Sequence, residues 1–385
     1  MSRPDYNGGG LVNLMASLIQ ARGGRAEAPE LTALPAAVLA GTRNIVMLVI
    51  DGLGDDWLRR QAPDGLLARH RVSAMTTVFP PTTASAITTY LTGDAPQQHG
   101  LTGWFMWLRE LGCVMTVLPG TPRYGGLSYG KVGIDLAMLF QHRSVFARIA
   151  SQSIAVSPRH IARSDYNLAH LGPAALRPFS GLAGLRRQIV RAVRRTRGPS
   201  YVYAYWPGLD TIGHHRGIES PAALAHLAAL EEHIGALSAA LAGTDTALVI
   251  SADHGQIDTT PADVTDIGDH PELADCLRIP LCGEPRAAFC YVRPDRVDAF
   301  ETYCAEVLGP RFALHHSAEL MEQGLYGLGP PHPRLAERIG DYTLIARGSN
   351  VIRDRLLADK PFRQVGVHGG LSDAELRVPL CLLRC

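Results

Sequence analysis

The stretch "NIVMLVIDGLG", residues 44–54, decides the fold class. Positions 45–50 are apolar without a break and run directly into Asp51 and Gly52. An apolar run with no two-residue alternation suits a strand covered on both faces, as in a parallel sheet between helices. "YVYAYW" at 201–206 and "TALVISA" at 246–252 share this texture. Helical spacing fills the intervals. "LAGLRRQIVRAVRRTRG" sets Leu182, Leu185, Ile189 and Val193 on one stripe, and "PAALAHLAALEEHIGALSAALAG" runs to Gly243 as a capped helix does. This alternation predicts a doubly wound α/β fold whose mostly parallel sheet is flanked by helices.

Texture also divides the chain. Residues 1–43 read as an N-terminal helical lead-in, and residues 44–256 with 361–385 as the core. Between them, 257–360 carries more Pro, Gly and charge and shorter elements. "RAAFCYVRPDRVDAFETYCAEVLG" reads as strand, turn and helix, and "YTLIAR" at 342–347 as a further strand. A smaller α+β insert capping the core is expected there. The segment "DVTDIGDHPELAD" at 263–275 reads as a solvated loop.

Composition excludes several classes of function. Lys and Arg number 37 against 36 acids, a net charge of +1, which argues against a nucleic-acid polymer as partner and for a small one. Seven cysteines without a CxxC pair read as reduced thiols rather than a disulfide framework. No stretch reaches the roughly 18 uninterrupted apolar residues of a membrane span, and the first 20 residues lack a cationic start followed by an apolar run. A cytoplasmic protein without a membrane partner is the expectation.

Each core strand ends in an acid. Ile50 leads to Asp51, Trp206 leads through Pro-Gly to Asp210, and Ala252 leads to Asp253 and His254. In an open α/β sheet, ligands bind in the crevice beyond the carboxyl ends of the strands. "DTIGHH" spaces Asp210 and His214 by four, which on a helix places both on one face and turns His215 away. His368 in "GVHGGLSD" is followed by two glycines that allow close approach of backbone to a ligand. Asp51, Asp210, His214, Asp253, His254 and His368 thus supply six ligands, the kind and number that hold two divalent ions about 4 Å apart. Imidazole mixed with carboxylate favours zinc, with manganese next.

Upstream of this set, "VFPPTTASAITTYLTGDAPQQHG" at 78–100 puts Pro80 and Pro81 ahead of a segment that becomes helical from Thr82 or Thr83. A hydroxyl at that N-terminus faces unpaired N–H groups and the positive end of the helix dipole, which stabilise an alkoxide or a phosphate bonded to it. In isolation such a threonine is a simple N-cap; beside six metal-type ligands it reads as a nucleophile.

Taken together, "VIDGLG", "FPPTT" through "TGDAPQQHG", "DTIGH", "SADHG" and "VHGG" resemble the alkaline phosphatase superfamily, and most closely its nucleotide pyrophosphatase/phosphodiesterase branch. The resemblance covers about 44–110, 200–256 and 362–380. It implies Thr83 as nucleophile with Thr82 its neighbour. It assigns Asp210, His214 and His368 to one ion, and Asp51, Asp253 and His254 to a second that also contacts Thr83. The implied reaction is in-line attack by Thr83 on phosphorus, giving a phospho-threonine intermediate that water hydrolyses. One position departs: the branch carries a phosphoryl-binding Asn shortly after its His-Gly, where "HGLTGWFMW" has Trp104. Trp104, with Phe105 and Trp107, can either stack on an aromatic leaving group or pack in a core.

The resulting expectation is a two-metal hydrolase of phosphodiester or pyrophosphate bonds in a small molecule. Phosphomonoesterase, phosphonate hydrolase and phosphomutase chemistry are alternatives within the superfamily, and a non-catalytic, metal-stabilised binding protein is an alternative outside it. The C-x-P-x-R or S-x-P-x-R signature of a sulfatase is absent near the nucleophile.

Overall fold

The computed structural model describes residues 2–356, 359 and 364–385. The domain boundary expected at residue 361 lies outside the described residues. Seven strands form the central sheet in the order Arg71–Thr76, Arg377–Arg384, Thr246–Ser251, Asn44–Ile50, Ser200–Trp206, Gln152–Pro158, Ala175–Phe179. The last five of these pair in parallel. The first two add antiparallel pairings at one edge. Asn44–Ile50 and Thr246–Ser251 are buried at every position, the physical reason that their sequences show no alternation. Register pairs Ile50 with Trp206 and Val49 with Ser251. Three neighbouring strands therefore leave the sheet at one edge, each ahead of an acid.

Helices cover both faces. Gly181–Arg195 buries Gly184, Leu185, Ile189, Ala192 and Val193 and turns most of its arginines outward. Pro221–Leu241 is capped by Ser220, whose Oγ accepts from Ala223 N–H, and is followed by Gly243 at φ +73°. The N-terminal helix, Leu11–Ala21, is more than a lead-in, because it is buried on nearly every face and belongs to the main core. Its two interior polar side chains are satisfied: Asn13 donates to the carbonyls of Tyr6 and Pro29, and Ser17 Oγ accepts from Leu31 N–H.

A second, wholly antiparallel sheet has the order Phe312–His316, Tyr342–Ala346, Ala287–Cys290, Cys282–Glu284, Phe105–Leu108, Cys113–Thr116, Thr121–Pro122. Four of its strands come from the stretch expected to form the α+β insert. The other three come from 105–122, which the sequence texture groups with the core. These strands are two to four residues long, too short for periodicity to reveal. The stretch 263–275 is likewise more ordered than a solvated loop, with a strand at Val264–Asp266 and a helix at Pro271–Cys276.

Packed under the helix Thr83–Thr92 is a group of imidazoles. His142 and His170 stack with ring centroids 4.6 Å apart and Nε2 atoms at 2.7 Å, and His99 lies 6.4 Å from His142. Burial lowers all three, His99 and His142 well below the usual value and His170 to about 4. Their unfolded counterparts take up protons near 6.5. The folded chain keeps them neutral, so the stability they permit is complete above pH 6.5 and is lost as pH falls from there towards 4. Each histidine withdraws about 1.4 kcal/mol per pH unit in that window. Thermal melts at pH 7.5, 6 and 5 are expected to show a falling Tm, and His142→Asn to flatten the decline. An identical slope in the variant would remove the cluster as its cause.

Candidate active site

The site assembles where the three parallel strands end. Asp51 directly follows Asn44–Ile50, and its N–H still bonds Trp206 O at 2.9 Å. Gly52 makes the turn at φ +78°, and a Cβ there would stand 3.1 Å from Asp210 Cα, so a side chain would be both strained and obstructed. Asp253 and His254 follow Thr246–Ser251 and are fully buried. Asp210 and His214 lie one turn apart on the helix Gly208–Arg216, with His214 Nε2 3.3 Å from Asp210 Oδ1. His368 Nε2 is 3.9 Å from that same oxygen.

Among the described residues, two groups of ligand atoms each fall within 4.8 Å of one another: Asp51, Asp253 and His254, and Asp210, His254 and His368. All six residues singled out in the sequence converge. The grouping differs in two respects from the division the resemblance implies: His254 belongs to both clusters, and His214 falls in neither, standing beside the second at 3.3 Å from Asp210 Oδ1. The His254 ring stacks on His368 with centroids 3.7 Å apart, and its Nε2 lies 3.3 Å from Asp51 Oδ1 and 3.5 Å from Asp253 Oδ2.

The donor set fits cations. His214, His254 and His368 each place Nδ1 against a backbone carbonyl, of Gly366 at 2.7 Å, Gly255 at 3.1 Å and Pro81 at 3.2 Å. A carbonyl only accepts, so Nδ1 carries the proton and the Nε2 lone pair of all three rings faces the carboxylates, the orientation of a metal-ligating histidine. Asp51 Oδ1 and Asp253 Oδ2 are buried with no hydrogen-bond donor. Burial, then the neighbouring Asp253 and Asp210, push Asp51 well above the usual carboxylate range. Asp253 is raised by burial and by Asp210, against a pull downward from His254. Burial followed by His254 and His214 holds His368 well below its usual value. Two acids that resist ionising, Asp51 and Asp253, beside an imidazole that resists protonation, His368, lack only positive charge.

Thr83 opens the helix Thr83–Thr92, and its Oγ1 is 3.2 Å from His254 Nε2. The first intrahelical bond runs from Ala86 N–H to Thr82 O at 2.9 Å, so the preceding N–H groups face the helix entrance. Thr82 turns elsewhere and donates from Oγ1 to Glu284 Oε1 at 2.6 Å. Trp104 is 38% exposed, and its N–H also donates to Glu284 Oε1 at 2.6 Å.

Three contributors were not read from sequence. Tyr205 donates its hydroxyl to Asp51 Oδ2, and Gln256 donates from Nε2 to Asp210 Oδ1. Gln256 follows His254 by two residues and Tyr205 is the penultimate residue of its strand, so position was a signal in both cases. Glu284 offered none beyond being an acid within the apolar surroundings of "LCGEPRAAF".

An open α/β sheet with acids and imidazoles clustered beyond its parallel strands, and a hydroxyl at a helix entrance among them, defines a metal-dependent hydrolase of the alkaline-phosphatase-like fold. The profile of the type I phosphodiesterase/nucleotide pyrophosphatase family matches residues 45–370, and the chain belongs to that family. It is a phosphoester hydrolase. No curated protein sequence matches significantly. Among solved structures, human ectonucleotide pyrophosphatase/phosphodiesterase 5 superposes with a TM-score of 0.65 at 16% identity, covering 88% of this chain and 87% of its own. The murine protein gives 0.63 at 16% identity, covering 87% of each chain, and an inactive threonine-to-alanine form of it in complex with AMP gives the same values. Phosphonoacetate hydrolase from Sinorhizobium meliloti 1021, in complex with phosphonoacetate, gives 0.62 at 16% identity, covering 89% and 90%.

Because Asp51, Asp210 and Asp253 crowd charge into a buried space, removing one charge relieves the metal-free chain. Asp51→Asn is expected to raise the Tm of the chelator-treated protein, by the equivalent of about 1–3 kcal/mol, while lowering the metal retained after dialysis. Melting curves with and without chelator, together with elemental analysis, check both. A lower metal-free Tm in the variant would contradict this account of the acids.

Proposed function

We propose that the chain hydrolyses phosphodiester or pyrophosphate bonds of a small molecule through a covalent phospho-threonine intermediate on Thr83. The observation that carries this reading is the 3.2 Å separation between Thr83 Oγ1 and His254 Nε2, the imidazole common to both ligand clusters. Asp51, Asp253 and His254 would hold one divalent ion and Asp210, His214 and His368 the other. The mixture of carboxylate and imidazole favours zinc, then manganese. When bound, such ions supply positive charge that lowers the pKa of a nearby hydroxyl and draws electron density from phosphoryl oxygens.

The chain's own groups do the rest. Thr83 Oγ gives up its proton to solvent and attacks phosphorus in line, the bond from phosphorus to the leaving oxygen breaks, and the departing alkoxide or phosphate oxygen takes a proton from solvent. Water then attacks the phospho-threonine, which releases phosphate or a phosphomonoester and restores the hydroxyl. Unpaired N–H groups at the start of Thr83–Thr92 face the charge that develops on the non-bridging oxygens. Tyr205 and Gln256 hold the Asp51 and Asp210 carboxylates in place. The partly exposed Trp104 indole offers a flat face to the leaving group. In this reading 44–256 and 361–385 are the catalytic core, and 257–360 a cap that reaches the site through Glu284. Seven free cysteines, five of them buried, support a cytoplasmic setting. Among the described residues no helix is long and apolar enough to cross a membrane.

A second reading, phosphonate hydrolysis, draws on the likeness in fold to phosphonoacetate hydrolase. Rates on an aryl phosphodiester and on phosphonoacetate separate the two. For the nucleophile, Thr83→Ala is expected to retain its metal and to lose at least about 10³-fold in kcat on bis(4-nitrophenyl) phosphate, whereas Thr82→Ala loses less than about tenfold. The opposite ranking would overturn the assignment of Thr83.

A further inference from the structure

Glu284 reaches the residue before Thr83 from the other sheet. Its strand, Cys282–Glu284, meets Phe105–Leu108 at a single bridge between Gly283 and Phe105. The approach is backbone against backbone: a Cβ on Gly103 would stand 2.6 Å from Gly283 Cα, and Gly283 itself sits at φ +77°. This contact delivers the Glu284 side chain, 7% exposed, into the space beside Thr82. Its Oε1 accepts from Thr82 Oγ1 and from Trp104 N–H, both at 2.6 Å. On a third side, a Cβ on Gly369 would lie 2.9 Å from Glu284 Cβ. The carboxylate is therefore enclosed by the residue before the nucleophile, the backbone of Trp104, and the turn that carries His368.

Its charge has little local compensation. Both groups bonded to it are neutral. Arg286, two residues along, gives Nε and Nη2 to Glu375 at 2.7 and 3.0 Å and Nη1 to Asn350 O at 2.7 Å, so its charge is taken up by another acid. Burial raises Glu284 to about 7, ahead of the opposing hydrogen bonds from Thr82 and Trp104. The Trp104 N–H, at the position where the branch carries its phosphoryl-binding Asn, is used on this carboxylate and not on a substrate oxygen.

We propose that Glu284 sets the charge of the phosphoryl group the site accepts. A carboxylate held against the residue before the nucleophile and the turn that carries His368 tolerates a phosphoryl centre with one negative charge, as in a diester, and opposes one with two, as in a monoester or inorganic phosphate. Like charges at close range in a partly desolvated site repel strongly, and the second charge of a monoester doubles the penalty. This deepens the reading of the site as a phosphodiesterase and rests on Thr83 as the nucleophile.

Glu284→Gln removes the charge and keeps an oxygen that can accept from Thr82 and Trp104. In the zinc-loaded full-length protein at pH 8.5, the ratio of kcat/KM for 4-nitrophenyl phosphate to that for bis(4-nitrophenyl) phosphate is expected to rise at least about tenfold. Inorganic phosphate, followed by calorimetry, is expected to bind at least about tenfold more tightly. Glu284→Asp, which keeps the charge, should leave the ratio near that of the unaltered protein. Should Glu284→Gln fail to fold, Glu284→Ala carries the same change of charge and must move the ratio the same way. An unchanged ratio and phosphate affinity in a folded, charge-free variant would overturn the proposal. Phosphate binding needs no turnover, so if no ester is cleaved by any form, the assignment of Thr83 fails while the role of Glu284 is still decided by calorimetry.

Discussion

Three carboxylates buried at the ends of adjacent strands impose the constraint around which the rest of this chain is arranged. Burial and the neighbouring acids raise the proton affinity of Asp51 and Asp253, and one oxygen of each meets no hydrogen-bond donor. Such an arrangement costs stability unless positive charge enters it. The surroundings prepare for that charge and do not neutralise the acids. Three imidazoles turn Nε2 inward because each Nδ1 is held by a carbonyl, and Tyr205 and Gln256 steady the carboxylates with single neutral donors. A buried arginine in the same space would have satisfied the acids and closed the site to metal.

The same constraint explains the position of the proposed nucleophile. A threonine hydroxyl is a weak nucleophile at its ordinary pKa, so its use depends on lying beside concentrated positive charge. The helix Thr83–Thr92 starts where its first hydroxyl meets His254, and Thr82, one residue earlier, is turned onto Glu284. Two adjacent residues of identical chemistry thus occupy different electrostatic environments. The separation comes from the extended backbone at Thr82, φ −146° and ψ 152°, immediately before helical geometry begins.

The second sheet provides what the first cannot. Parallel strands bring ligands to a common edge because their ends coincide, but they offer nothing above that edge. Antiparallel strands from 105–122 and 282–346 supply a wall, joined at the Gly103–Gly283 contact, and through it an acid that is distant in sequence stands against Thr82, the residue before Thr83. On the proposed role of Glu284, selectivity for the charge of the substrate is separated from the chemistry. Asp51, Asp253 and His254 belong to the strand ends and Thr83 to a helix start, while Glu284 belongs to the wall.

How much of this was legible in the sequence follows from the range of the interactions. The unbroken apolar runs before Asp51, Asp210 and Asp253, the i,i+4 spacing of Asp210 and His214, and the prolines before Thr82 are local patterns, and each sets its own strand, turn or helix start through backbone geometry alone. From these the parallel sheet could be read, together with acids and imidazoles that the structure brings to its edge. Short-range pattern is silent on which imidazole lies between two clusters, on the short strands of 105–122 that leave the core texture for the second sheet, and on the burial of Leu11–Ala21. Those outcomes, with the placement of Glu284 against Thr82 and Trp104, were decided only by the tertiary structure. They depend on contacts between segments up to about 200 residues apart, whose energies come from packing and mutual electrostatics that no window of neighbouring residues contains.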